Sequence, residues 1–183
     1  AIEDDTEVEI DNITTPTNPD IETDTIIDDQ QLVSDTLRTD FTYVKVSKPV
    51  YVVHISGFGC EMGQAVLPDI EKCTGSTQVG FTRSESYPFY LNLMVRDGAE
   101  DGFILNGGAV NTDISDGDFT QIPGTQWWAA SIQFDITDIP VGSSNIIENT
   151  EDVFHLGIIN GNATGGCRYG YFSDFNELKA ESV

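Results

Sequence analysis

The chain has 183 residues, 31 of them Asp or Glu and only eight Lys or Arg, which gives a formal net charge of −23 and a pI near 4.1. A surface so negative repels phosphate backbones and anionic headgroups, so neither nucleic acid nor an anionic membrane is an expected partner. No run of about 20 apolar residues is present, so no membrane span is expected either, and the length suits one domain, or one of roughly 140 residues plus an extension.

The extension comes first. Eleven carboxylates fall within the first 29 residues, and the first basic residue is Arg38. Composition alone would make this a self-repelling tail. Yet TEVEID alternates, with Val8 and Ile10 on one side and Glu7, Glu9 and Asp11 on the other. In DIETDTII, residues Ile21, Thr23, Thr25 and Ile27 share a face, and Pro16, Asn18 and Pro19 break the chain between the two runs. A period of two is a strand signature, and an acidic strand cannot easily stand alone in water. Residues 1–39 are therefore expected to form an extended N-terminal arm that adds a strand to a neighbouring subunit. Val8, Ile10, Ile13, Ile21 and Ile27 would fill its pockets. DDQQLVSDTL is read as one or two helical turns after an Asp N-cap.

From residue 40 to 183 the sequence reads as β. TDFTYVKV places Phe41 and Tyr43, with Val44 and Val46, near a core. VYVVHIS, YPFYLNLMVRD, GFILNGG, TQWWAASIQFDI, DVFHLGII and RYGYFSDF follow, each rich in β-branched or aromatic residues and bounded by Gly, Asp, Asn or Pro. In SIQFDI, Ile132, Phe134 and Ile136 point one way. EMGQAVLPDIEKC is read as the one short helix, limited by Pro68. Short strands with turn signals about every ten residues predict an antiparallel β-sandwich or jelly roll.

Gly57, Gly59 and Gly63 follow a strand, but their GxGxxxG spacing and the absence of βαβ alternation argue against a dinucleotide loop. His54 and His155, without HExxH or CxxC, read as half-buried strand residues hydrogen-bonded to neighbours. Two acidic, glycine-bearing loops offer Asp97, Glu100 and Asp101, and Asp113, Asp116 and Asp118, as hard oxygen ligands for Ca²⁺. Trp127 and Trp128 are adjacent, so on a strand one faces the core and the other outward, where an indole could stack on a glycan or a subunit. Cys60 and Cys73 are the expected disulfide, with Cys60–Cys167 as the competing pair. The sequons at Asn12 and Asn162, three cysteines and an N-terminal Ala in place of Met fit an exported chain, secreted to the cell surface.

No motif names a reaction, and no enzyme is expected. The expected function is that of a structural subunit of an extracellular self-assembling filament or surface fibre. Its arm would be donated to the next copy, an architecture that resembles strand-exchanging pilins without sharing a family motif. The alternative is a secreted, Ca²⁺-assisted carbohydrate-binding module that uses Trp127 or Trp128.

Overall fold

The computed structural model describes residues 1–13, 19–37, 39, 41–58, 61–71, 75–110, 112–162 and 165–172. Among them the regular structure is β, apart from a 3-10 turn at Asp116–Asp118. The strand pairs with a defined register are antiparallel. The all-β expectation holds. Contacts divide the chain into two compact units, Ala1–Val52 with Thr120–Gln126, and Val53–Phe119 with Trp127–Val183. The first unit thus runs past residue 39 and takes in the next strand.

That first unit contains β1 (Thr6–Ile13), β2 (Pro19–Ile27) and β3 (Phe41–Val46), in the sheet order β2-β1-β3. β1 is central. Val8 lies opposite Thr25 and Val46, and Ile10 opposite Thr23 and Val44, so their alternation builds one apolar face. Val8, Ile10 and Ile27 are buried there, with Ala1, Val33, Val44 and Val46 packed around them. A register shift between Ile10 and Asp11 sets Asp11 opposite Ile21, which interrupts the strict alternation expected over residues 21–27. Tyr43 stands opposite Asp11, off the Val44–Val46 face, so the valines rather than the aromatic supply β3's share of this cluster.

The second unit begins with β4 (Val52–Phe58) and β5 (Glu61–Leu67), which pair as a hairpin. β6 (Gln78–Thr82), β7 (Phe89–Arg96) and β8 (Phe103–Leu105) follow; after a two-residue strand β9 (Thr120–Gln121), which falls in the first unit, come β10 (Trp127–Phe134), β11 (Ser144–Asn149), β12 (Phe154–Asn162) and β13 (Gly166–Phe172). One sheet of this unit runs β13-β12-β7-β10, another β6-β11-β8. Both give side chains to a single cluster: Phe81 from β6, Phe103 and Leu105 from β8 and Ile147 from β11 join Phe89, Leu91, Leu93 and Val95 of β7 and Phe154, Leu156 and Ile158 of β12. β7 alternates buried and half-buried residues along its whole length, as the period of two requires.

Two expected helices are absent. Glu61–Leu67 is a strand, because Gly63, Ala65 and Leu67 turn inward while Met62, Gln64 and Val66 turn to solvent; Pro68 follows and cannot continue the ladder. Residues 28–37 make one turn, closed by the Gln31 N–H on the Asp28 carbonyl at 3.1 Å, and then run on without a helix. Ile136 lies past the end of β10 and is exposed, so only Ile132 and Phe134 of that trio pack at the core.

Candidate functional site

The residues expected to act as an arm are engaged within their own chain. Val8 and Ile10 fill the small cluster from β1 and Ile27 closes it from β2; Ile13 ends β1 opposite Pro19 and Phe41. The other face of β1 carries Glu7, Glu9 and Asp11. Glu9 stands opposite Asp24 on one strand and Lys45 on the other, and Lys45 pairs with it, with Nζ 3.5 Å from Oε2. That pair is largely exposed, so it contributes no more than about 1 kcal/mol. Lys48 Nζ donates to the Asp4 carbonyl at 2.6 Å, and the N-terminal ammonium donates to the Gln31 carbonyl at 2.8 Å. Three buried aliphatics at about 2 kcal/mol each make a small core, so the β1–β2 hairpin is held to β3 weakly for its size.

The two acidic loops are turns whose carboxylates serve their own backbone and neighbours. Glu100 is buried and accepts the Gly98 N–H at 2.7 Å, while Asp97 accepts the Trp128 indole N–H at 2.9 Å. Asp118 accepts both the backbone N–H and the hydroxyl of Ser115, and Asp116 accepts the Gly117 N–H. Asp101 and Asp113 are exposed. Among the described residues no group of three or more His, Cys, Asp or Glu side chains is arranged to hold a metal ion.

Neither tryptophan is fully exposed. Trp128 is half-buried against the core cluster, on the Ile132–Phe134 side of β10. Trp127 points the other way yet is only 1% exposed, with its indole N–H on Glu71 Oε1 at 2.8 Å. His155 of β12 meets the Trp127 ring edge-on with centroids 5.5 Å apart, and the Arg96 guanidinium lies 5.3 Å over the same ring. Arg96 also reaches Asp152 at 3.9 Å. Burial, with the Arg96 charge adding to it, pushes the His155 imidazole down to about 4. The other histidine, His54, is half-buried and its Nδ1 shares a 2.9 Å hydrogen bond with the Tyr169 hydroxyl. Burial lowers the pKa of this imidazole too, and raises that of the Tyr169 phenol to about 12.

Cys60 and Cys73 lie outside the described residues; Cys167 is a buried free thiol of β13. Asn12 sits in β1 opposite Asp20 and Thr42. Asn162, at the β12–β13 turn, accepts the Gly165 N–H at 2.6 Å.

Three features escaped sequence reading. Arg83 is buried and donates to four carbonyls, and Asn160 binds the segment beside it, accepting from Ser84 and Glu85 and donating to the carbonyls of Glu85, Tyr87 and Pro88. The third is the outward face of the β4–β5 hairpin, where Val53, Ile55, Met62 and Val66 are all exposed. Alternation in VVHIS was the available signal, but alternation does not say which face is covered. No helix among the described residues is long and apolar enough to cross a membrane. No family model, curated protein or solved structure matches the chain.

Proposed function

We propose that the chain is a structural subunit that assembles with copies of itself outside the cell, exchanging its N-terminal hairpin between neighbours. In this reading the second unit is a β-sandwich and the β1–β2 hairpin is the donated element. The observation that carries it is the form of the first unit: the hairpin joins its sheet through β1 alone, pairing with β3, over a cluster drawn from residues 1–46. The same register and the same cluster form equally well when β3 belongs to a second copy, so exchange costs little enthalpy. Thirteen residues, 28–40, separate β2 from β3, and Val33 among them stays with the cluster, which leaves 34–40 as the connection. Extended, those seven residues reach about 24 Å, so exchange takes place between copies whose β3 strands lie that close. Head-to-tail exchange whose rotation does not close into a ring propagates as a fibre.

The charge of −23 opposes the assembly. Salt screens that repulsion, and calcium, as a divalent counter-ion, screens it further. Electron microscopy of the untagged chain, with and without millimolar Ca²⁺, is expected to show regular fibres that form more readily as ionic strength rises. Dispersed monomers under all these conditions would sink the reading.

A further inference from the structure

The β4–β5 hairpin is built inside out. Its inward side has Val52 at one end and Leu67 at the other, and between them small or polar residues: His54 bonded to Tyr169, Ser56, Gly63 and Ala65. Its outward positions carry the large aliphatics, Val53 at 48% exposure, Ile55 at 55%, Met62 at 72% and Val66 at 62%. Close approach to β13 fixes this register. A Cβ placed on Gly63 would stand 2.7 Å from the Tyr169 Cβ, so a larger inward residue has no room, and a one-residue slip that buried the aliphatics is blocked. Between Lys48 and Asp69 the only charged residue is Glu61, so the outward face itself bears no charge in a chain of net −23.

We propose that this face is a self-association surface, pairing with the same face of a second copy. Charge selects the occupant. A basic partner finds no carboxylate among these residues to pair with, and an anionic membrane is repelled by the rest of the molecule, whereas the residues that two copies would bring together carry no charge of their own. Area sets the strength. The four side chains expose on the order of 400 Å², so a pair buries about 800 Å² in total, roughly half of a standard stand-alone interface. The contact is therefore weak and concentration-dependent, suited to lateral pairing in a polymer. It is isologous, so it closes as a pair rather than propagating. It rests on residues separate from the exchanged hairpin and stands if that exchange fails.

Sedimentation velocity of the full chain carrying Glu9→Cys with Lys45→Cys, oxidised within the monomer so that β1 is held on its own β3 and no fibre grows, is the parent measurement. At about 0.5 M salt, where the Debye length is only about 4 Å, it tests the face between about 10 μM and 1 mM. The expected result is a reversible monomer–dimer equilibrium. Ile55→Lys with Met62→Lys, and separately the uncharged pair Ile55→Asn with Met62→Gln, should each weaken dimerisation at least tenfold. Both should keep the cooperative thermal melt of the parent, since the altered side chains lie mostly in solvent. A parent chain that stays monomeric throughout overturns the proposal. So do oligomers that persist unchanged in both variants, which would belong to another contact. Binding of neutral phosphatidylcholine vesicles by a monomeric parent would assign the face to lipid instead, and also overturns it.

Discussion

Arg83→Ala is expected to destabilise the protein by about 3–5 kcal/mol, the largest effect of any single side chain outside the apolar core. Arg83 is 2% exposed. Its Nε donates to the Glu85 carbonyl at 3.0 Å, Nη1 to those of Phe134 and Ile139 at 3.3 and 3.2 Å, and Nη2 to that of Tyr87 at 2.6 Å. It also lies 5.5 Å over the Phe89 ring. Truncation leaves these carbonyls without that donor and opens a void against Phe89, two penalties that add. Lysine keeps the charge but not the planar fork, so Arg83→Lys should recover less than half of the loss. Urea denaturation reads both; a loss below about 1 kcal/mol for alanine, at unchanged m-value, would mean that water replaces the donor at little cost.

The second large effect is in acid. The His155 imidazole sits at about 4 when folded, against its ordinary value of 6.5. The folded state keeps it neutral among Trp127, Arg96 and the β12 backbone, whereas the unfolded chain protonates it readily. Between pH 6.5 and about 4 the unfolded state therefore binds a proton that the folded state does not, and stability falls as pH falls. The full loss is about 3 kcal/mol, complete below the folded value and absent above neutrality. The many carboxylates titrate nearby, so the difference between parent and variant is the informative quantity. His155→Gln should flatten the decline between about pH 6.5 and 4.5 by about 2 kcal/mol relative to the parent. Parallel stability curves for the two proteins would contradict the assignment, as would a His155 ring signal titrating near 6.5.

Much of the fold was legible because local pattern and tertiary burial agree. Phe89–Arg96 alternates cleanly, and its alternation is the burial pattern. Val8 and Ile10 against Glu7, Glu9 and Asp11 gave the correct faces of β1 before any partner strand was known. β11 was missed because its inward positions are Asn145, Ile147 and Asn149, so apolar alternation is absent. Those amides are buried yet satisfied: Asn145 Oδ1 accepts from Asn106, Asn149 Nδ2 donates to the Ala99 carbonyl, and Asn149 Oδ1 accepts the N–H groups of Glu151 and Asp152. Only tertiary contacts show that. Glu61–Leu67 read as a helix because its Met, Gln, Ala and Leu are good helix formers, and a partner strand overrode that preference. The acidic loops looked like cation ligands because carboxylate spacing carries no information about which N–H groups a turn will present. Arg83 had no signature at all, since its acceptors are carbonyls of residues up to 56 positions away.

Strand exchange itself can be trapped covalently. Glu9 and Lys45 face each other across the β1–β3 pair, at a separation a disulfide can span. Chains carrying only Glu9→Cys are mixed with chains carrying only Lys45→Cys, assembled, oxidised, and run on a non-reducing gel beside each variant mixed with the parent. Exchange of the hairpin predicts a covalent pair that contains one chain of each kind and appears only in the assembled mixture. Fibres without that cross-link, or a cross-link no stronger than in the parent mixtures, would show that β1 stays on its own β3 and that the assembly does not use the N-terminal hairpin.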